Sequence, residues 1–378
     1  MRAGWLMLAA LALPHGLNGD TGSGWPLWSA YSAHFVSAEG RVIDPDRNSM
    51  TTSEGQGYAM FFALVADDAP AFERVRSWTE NNLAHGNLGG NLPAWSWGQA
   101  GGGAWGVLDE NSAADADLWI GYSLVEAGRL WRKPAYTASG QGLLRQIADK
   151  EVADLPGAGP VLLPGRAELF STPGHWVVNA SYSPLPVLMG AAAAAPEGPW
   201  KKMAVALPGW LQRASPSGFA MDWDRDSEGI FAASGNPGDL SHPACGSYDA
   251  IRVYLWAGIT DQQTPGAKEI LQIFAPMARL MKATANPPEM ISADGGILSR
   301  SAPAGFAAAL APFLASSGDA PGAEALLRRV DAQIDPQSGL VGKPPRYYDQ
   351  NLALFALGWQ EQRFRFAPDG ELRVRWKN

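Results

Sequence analysis

Two kinds of helical pattern alternate along the chain. Strongly apolar segments rich in small residues begin near residues 54, 111, 181, 247, 303 and 348. More polar, one-sided segments fall between them, beginning near residues 25, 70, 137, 200, 264 and 319. A helix that is apolar on all sides is buried, whereas a one-sided helix covers a core. The alternation therefore predicts an all-α fold with six inner and six outer helices, an (α/α)6 barrel.

Long Gly- and Pro-rich segments separate these helices, at residues 86–106, 155–175, 214–246 and 284–302. They recur at helix junctions and do not mark a single boundary, so residues 25–378 are expected to form one domain. Strand is expected to be minor, in loops and in C-terminal segments at 364–366 and 372–376. Because the loops gather at the ends of a barrel, motifs at the starts of the inner helices should converge on one cleft.

The first 24 residues have the pattern of an export signal. Arg2 supplies a positive start, and residues 5–13 form an apolar core that is too short to span a bilayer. A single cysteine, Cys245, excludes an internal disulfide, and so few cysteines suit a bacterial periplasm. The expected location is therefore periplasmic or secreted, without stable insertion into a membrane.

Charge and composition narrow the possible partners. The net charge is -8 and no basic run is present, so a nucleic-acid partner is not expected. The 16 Trp, 9 Tyr and 43 Gly are unusual. The flat ring of an aromatic side chain can stack on an apolar surface, such as the face of a sugar ring.

The first chemical motif is a lone acid at the start of an apolar run, Ser53-Glu54-Gly55-Gln56-Gly57-Tyr58-Ala59-Met60. Ser53 is positioned to cap a helix whose first turn carries Glu54. A carboxylate at a helix mouth is a common position for a working acid, and also for an ordinary first-turn glutamate. The stretch alone leaves both interpretations open.

The second motif carries two acids, Asp115 and Asp117, in the first turn of an apolar helix. The helix dipole accounts adequately for both. A metal site is not expected, because no His and no third carboxylate accompany them at ligand spacing. If the helix start lies beside Glu54 in a cleft, one of these acids could instead hold sugar hydroxyls.

The third motif, Ser247-Tyr248-Asp249-Ala250-Ile251-Arg252, places an acid and a base three residues apart. On a helix Asp249 and Arg252 share a face and can pair. One interpretation is a salt bridge at a helix start. The other is a carboxylate that is kept ionised by its arginine and directed at a water molecule.

A group of aromatic residues lies in loops or at the starts of inner helices. Two roles remain possible for them, stacking on pyranose rings and packing in the core. The group consists of Trp95, Trp97, Trp105, Trp176, Tyr182, Tyr347 and Tyr348.

Two patterns are excluded as metal or triad sites. Residues 222–233 imitate a calcium loop, but the sixth position is Ser227 where a glycine is required, and the twelfth is Ala233 where a glutamate is required. The five histidines are scattered, which argues against a zinc site and against a Ser-His-Asp triad. Cys245 has no nearby His, so a structural thiol is expected.

Together these segments resemble glycoside hydrolase family 8, and among its members most closely the periplasmic endo-β-1,4-glucanases encoded with bacterial cellulose synthases. The resemblance covers residues 25–360. The matching stretches are residues 40–44, 53–60, 92–95, 111–119, 124–131 and 247–252. The fold that the family implies is the (α/α)6 barrel.

The resemblance implies a role for each residue of the motifs. Glu54 matches the proton donor and Asp249 the general base, while Asp115 resembles a third acid that contacts the sugar at the cleavage point. Arg252 resembles the partner that holds Asp249, with Tyr248 beside the attacking water and Asp117 in support. The residues that resemble sugar-binding positions are Trp95, Trp105, Trp176, Tyr182, Tyr347 and Tyr348.

The expected reaction is hydrolysis of internal bonds of β-1,4-glucan (cellulose) with inversion, without cofactor or metal. The resemblance also implies an association with a cellulose synthase. Chitosan or xylan as the substrate, and a non-catalytic glucan-binding protein, remain alternatives. The chain departs from the family pattern at Ala114, Gly121 and Ala180, which affects the detail of sugar binding and not the proposed acid or base.

Overall fold

The structure, a computed structural model, describes residues 24–237 and 243–377. Its helices are α1 (Pro26–Phe35), α2 (Ser53–Val65), α3 (Ala69–Leu83), α4 (Ala114–Leu130), α5 (Pro134–Lys150), α6 (Ala167–Phe170), α7 (Leu185–Ala194), α8 (Trp200–Ala214), α9 (Ala250–Ile259), α10 (Ala267–Ile273), α11 (Ala275–Thr284), α12 (Ala304–Ser316), α13 (Ala320–Asp331) and α14 (Tyr347–Gln360). The predicted signal segment, residues 1–24, lies outside the described residues except for Gly24.

Six helices form the inner ring in the order α2, α4, α7, α9, α12 and α14. The ring closes where Phe355 of α14 meets Tyr58 and Phe62 of α2, with ring centroids 5.0 and 4.7 Å apart. Every residue of α2 except Glu54 is buried. The outer ring consists of α1, α3, α5, α8, the pair α10–α11, and α13. The predicted (α/α)6 barrel is therefore confirmed.

The helices of the barrel differ in how they begin. The outer helices α3 and α13 are capped by their own acids, since Asp68 accepts from the N–H of Ala71 and Asp319 from that of Gly322. The inner helix α9 begins at Ala250, three residues later than the pattern predicts, and no side chain of its own caps it. The start of α9 therefore depends on residues from elsewhere in the chain.

The long loops contain more strand than the sequence pattern predicts. The strands are β1 (Thr51–Thr52), β2 (Ser96–Gln99), β3 (Trp105–Asp109), β4 (Val152–Leu155), β5 (Gly159–Leu162), β6 (Ser171–Thr172), β7 (His175–Val178), β8 (Trp223–Ser227), β9 (Ile230–Ser234), β10 (Met290–Ile291), β11 (Ile297–Ser299), β12 (Phe364–Phe366) and β13 (Leu372–Val374). All pair antiparallel, in one four-stranded, one three-stranded and three two-stranded sheets among the described residues.

The calcium-like segment 222–233 is part of the β8–β9 hairpin, in which Asp226 pairs with Phe231. Asp224 and Asp226 are buried on one face of β8, two residues apart as a strand requires. Cys245 is buried nearby. Within residues 24–237 and 243–377, no helix is long and apolar enough to cross a membrane.

Candidate active site

The charged motifs meet above a layer of aromatic rings. Each charged residue is followed one helical turn later by an aromatic residue, in the pairs Glu54–Tyr58, Asp115–Trp119 and Arg252–Trp256. Residues four apart lie on the same helix face, so the second member lies below the first. The rings contact one another, with centroids 5.9 Å apart between α2 and α4 and 5.3 Å apart between α4 and α9. The charges therefore stand on an apolar floor.

Arg252 lies at the centre of the charged layer. Its Nη1 donates to Glu54, and to Asp115 Oδ2 at 3.0 Å. Its Nη2 donates to Asp249 Oδ1 at 2.6 Å and to Ser181 Oγ at 3.1 Å. A guanidinium offers several donors in a fixed plane, which allows one side chain to hold three carboxylates from three inner helices.

The members of this cluster differ in their access to solvent. The side chains of Glu54 and Asp249 are 22% and 26% exposed, whereas those of Asp115 and Arg252 are 4% and 3% exposed. Two carboxylates are thus open to solvent above a buried cation and a buried third acid. Asp115 Oδ1 also accepts from the N–H of Ala116 at 2.8 Å, which fixes its orientation.

The electrostatic environment favours a neutral acid at Glu54. Burial raises the pKa of its carboxyl to about 7, against the lowering effect of Arg252 and with the support of the charges of Asp115 and Asp249. Burial likewise raises the pKa of Asp115, again against the effect of Arg252. A carboxyl group that holds its proton near neutral pH can serve as a general acid.

The residues around Glu54 explain why its motif has this sequence. The cap of α2 is Thr52, which accepts from the N–H of Gly55 at 3.1 Å, so the prediction that Ser53 is the cap is wrong. Ser53 is instead the first residue of the helix. A Cβ on Gly55 would lie 2.1 Å from Tyr347 Oη, so only glycine fits there.

Gln56 fixes the rotation of α2. Its Oε1 accepts from the N–H of Val42 at 2.7 Å, and its Nε2 donates to Thr79 Oγ1 at 2.8 Å and to the carbonyl of Gly40 at 3.2 Å. The side chain is fully buried. These bonds join α2 to the segment 40–42 and to α3, and they set the direction in which Glu54 points.

The two acids of α4 have different surroundings. Asp117 is two residues from Asp115, which on a helix places it about 200° around the axis. Asp117 is fully buried and lies beside Glu151, where burial and the charge of Glu151 raise its pKa well above the usual value. The pKa of Glu151 is raised to about 8 by burial, and Ser112 Oγ donates to this carboxyl. Asp117 therefore does not open to the cleft.

Trp105 is the exposed aromatic residue of the predicted group. It lies on β3 with 48% of its surface exposed, and its ring stacks on that of Trp97 with centroids 5.3 Å apart. The guanidinium of Arg41 lies 4.5 Å from the Trp97 ring and 4.8 Å from the Trp105 ring. Because β1 leads directly into α2, this stack lies beside the start of the helix that carries Glu54.

The tyrosines of the predicted group differ in exposure. Tyr347 is 5% exposed and packs beneath Gly55, which favours core packing, the alternative to stacking on a sugar, for this residue. Tyr348 is half-buried and donates to the carbonyl of Tyr248 at 2.5 Å. Tyr248 is 40% exposed and donates to Glu289. Tyr182 lies under Arg252, with the guanidinium 5.6 Å from its ring.

Trp95 and Trp176 are both half-buried. The carbonyl of Trp95 accepts from Ser53 at 3.0 Å, and its N–H donates to the carbonyl of Asn111 at 2.7 Å, so Trp95 joins the starts of α2 and α4. Trp176 lies on β7, opposite Asp226 of β8.

Three residues of this region are absent from the sequence-based set. Tyr58 Oη accepts from Arg252 Nη1 at 3.1 Å, and its position four residues after Glu54 was a detectable signal. Ser181 lies in a single 3-10 turn, Ala180–Tyr182, which is too short for its sequence spacing to indicate a contact. Asp222 Oδ1 accepts from the N–H of Asp249 at 3.0 Å, although the sequence places this acid in the rejected calcium-like pattern.

Among the described residues, no group of three or more His, Cys, Asp or Glu side chains has the arrangement of a metal site. The carboxylates of the charged layer are held by the guanidinium of Arg252.

The sequence matches the family model described as glycosyl hydrolases family 8 over residues 4–362. An endoglucanase of Xanthomonas axonopodis pv. citri (strain 306) is 44% identical over 378 residues, covering 99% of this chain and 94% of its own length. An endoglucanase of Escherichia coli (strain K12) is 40% identical over 353 residues, covering 93% and 91% of the two chains.

Solved structures give the same picture. The crystal structure of an endo-1,4-D-glucanase from Vibrio fischeri ES114 has a TM-score of 0.86 at 35% identity, covering 94% of this chain and all of the other. The endo-β-1,4-glucanase CMCax from Acetobacter xylinum has a TM-score of 0.71 at 24% identity, covering 90% and 99%, and supports the fold.

Proposed function

Because the chain belongs to glycosyl hydrolases family 8, we propose that it cuts internal β-1,4 bonds of cellulose. The enzyme is an inverting glycoside hydrolase. The observation that carries the proposal is that the carboxylates of Glu54 and Asp249 are both open to solvent while one buried arginine holds both. Relatives at 40–44% identity with the name endoglucanase support the substrate.

Glu54 is proposed as the proton donor. Its neutral carboxyl gives a proton to the glycosidic oxygen as the bond between C1 and that oxygen breaks, and the released chain leaves as an alcohol. The apolar floor under the charged layer supports this role, since burial raises the pKa of Glu54 to about 7.

Asp249 is proposed as the general base. A water molecule attacks C1 from the face opposite the leaving oxygen, and Asp249 takes its proton, so the β-glycoside gives an α-hemiacetal. Inversion requires room for that water, with the carboxyl groups about 6.5–9.5 Å apart in the working complex. After release, Glu54 regains a proton from solvent and Asp249 loses one.

The remaining residues are proposed to hold the substrate or the reacting groups. Arg252 holds the carboxylate of Asp249 in place through its Nη2 group, and Asp115 borders the sugar ring at the cleavage point from below. Trp105, with Trp97 behind it, offers a flat face for a glucose ring. Tyr248 at the cleft edge is placed next to the attacking water.

The biological setting is proposed from the resemblance. The first 24 residues are proposed as a signal peptide that directs the enzyme to the periplasm or beyond, where it trims glucan during cellulose synthesis and export. A functional association with a cellulose synthase follows from this role.

Release of new reducing ends from carboxymethyl cellulose tests the proposal. Wild-type enzyme should release them with a rapid loss of viscosity, which indicates internal cuts. Chitosan and xylan serve as the competing substrates. A protein that binds cellulose without releasing reducing ends would be a binding module, and the proposed function would be wrong.

A further inference from the structure

The carboxylate of Asp222 holds the chain segment from which Asp249 projects. Its Oδ1 accepts hydrogen bonds from the backbone N–H groups of Ser247, Asp249 and Ala250, at 2.7, 3.0 and 2.8 Å. Asp222 is 3% exposed, so these bonds are shielded from water. The first N–H groups of a helix have no partner within the helix and require one from elsewhere.

Asp249 itself occupies the N-cap position of α9. An aspartate at this position ordinarily accepts from an N–H two or three residues later, which would turn its carboxylate onto its own helix. Here those donors have other acceptors, because the N–H of Ile251 bonds to the carbonyl of Ser247 and that of Arg252 to the carbonyl of Asp249. The side chain of Asp249 makes no cap bond and reaches Arg252 instead.

We propose that Asp222 is a positioning residue for the hydrolysis, which caps α9 from outside and thereby leaves the carboxylate of Asp249 directed at the cleft. This inference rests on the proposed role of Asp249 as the general base. Asp222 touches neither the sugar nor the water, and it acts through the backbone of residues 247–250.

Other contacts hold the same segment by different groups. Ser247 Oγ donates to the carbonyl of Glu289 at 2.7 Å, and Tyr348 Oη donates to the carbonyl of Tyr248 at 2.5 Å. These bonds use a side chain and a carbonyl. They do not involve the N–H groups of Ser247, Asp249 and Ala250, which Asp222 holds.

The test compares Asp222→Ala with Asp222→Asn in hydrolysis of cellohexaose. The alanine variant loses the acceptor, and because a displacement of about 1 Å costs on the order of 100-fold in rate, kcat should fall roughly 10- to 100-fold with little change in KM. The asparagine variant keeps an acceptor oxygen and should retain kcat within about fivefold. If the alanine variant does not fold, Asp222→Ser, whose shorter hydroxyl reaches fewer donors, replaces it.

Asp319→Ala is the matched control, because Asp319 caps the outer helix α13 by the same type of bond. This variant should lose thermal stability and keep its kcat. Loss of stability without loss of kcat in Asp222→Ala as well would overturn the proposal.

Azide provides a second measurement. If Asp222 had only a structural role, azide would not raise the turnover of the Asp222→Ala enzyme. Azide attacks C1 without releasing a proton, so it needs no general base. Azide should therefore raise the turnover of Asp222→Ala and of Asp249→Ala, with formation of an α-glycosyl azide, and leave Asp319→Ala unchanged. A slow Asp222→Ala enzyme that azide does not accelerate would contradict the inference. A wild-type chain that releases no sugar would refute the proposed function itself, before any variant is compared.

Discussion

Arg252 Nη1 donates a hydrogen bond to Glu54 where the inner helices α2 and α9 begin, although 198 residues separate the two in the chain. The same guanidinium holds Asp249 on its other terminal nitrogen. The proposed acid and base therefore contact the same guanidinium, and a displacement of Arg252 would displace both carboxylates. Three carboxylates share this single cation, which leaves the layer with an excess of negative charge when all are ionised.

Glu54→Gln should remove the proton donor and leave the fold intact. We expect kcat on cellohexaose to fall by about 10³-fold, the usual scale of general acid catalysis. An aryl cellobioside with a good leaving group, such as dinitrophenolate, needs little protonation and should lose much less. Equal losses on both substrates would mean that Glu54 has another role.

The pH dependence of activity should follow the carboxyl of Glu54. Its pKa is raised to about 7 by burial, and the reaction needs the protonated form. As the pH rises through 7 the protonated fraction falls, so kcat/KM should decrease about tenfold per pH unit on the alkaline side. Initial rates between pH 5 and 9 measure this limb, and a plateau to pH 9 would exclude Glu54 as the acid.

Arg252→Met should move that alkaline limb to higher pH while lowering kcat. The charge of Arg252 is the largest influence that lowers the pKa of Glu54, and its removal leaves burial and the charges of Asp115 and Asp249, which raise it, against a smaller lowering by Arg47. Arg252→Lys keeps a positive charge without the planar set of donors, so it separates charge from geometry. An unchanged limb in the methionine variant would show that Arg252 does not act on Glu54.

Trp105→Ala should weaken the binding of glucan more than it slows the reaction. We expect KM for cello-oligosaccharides to rise several-fold while kcat changes little, because an exposed ring contributes stacking energy of about 1 kcal/mol. Trp131→Ala is the control, since Trp131 ends α4 at the opposite end of that helix from Asp115. Equal effects of the two changes would remove Trp105 from the binding site.

Glu151→Gln should make the stability of the enzyme less dependent on pH. Burial raises the pKa of Glu151 from 4.5 to about 8, so between these values the folded state keeps a proton that the unfolded state releases. Stability of the wild type therefore falls as the pH rises through this window. Glutamine keeps an acceptor for Ser112 and carries no charge.

Thermal unfolding at pH 6 and pH 9 measures this difference. The Tm of the wild type should fall more than that of Glu151→Gln, and kcat of the variant should stay close to the wild-type value. Glu324→Gln, at a side chain 69% exposed, is the control and should follow the wild type. A parallel fall in all three proteins would exclude the buried acid pair as the cause.

Much of the fold was predictable because helix periodicity is a local signal. The inner helices are apolar on all sides and the outer ones on one side, and this difference is visible without any contact information. The strands in the long loops were underestimated because short hairpins such as β8–β9 are stabilised by pairing with distant strands like β7.

The candidate site was predictable only in part. Asp249 and Arg252 are three residues apart, so their pairing is local and the sequence indicates it. The contact of Arg252 with Ser181 and the bonds of Asp222 to the start of α9 join segments that only the closed ring brings together. The burial of Tyr347 likewise depends on its packing against Gly55, nearly 300 residues earlier.

The anomer formed first during hydrolysis tests the central claim most directly. In proton NMR of wild-type enzyme with cellohexaose, attack of a water activated by Asp249 should give the α-anomer at the new reducing end before mutarotation. Initial appearance of the β-anomer would contradict an inverting reaction between Glu54 and Asp249.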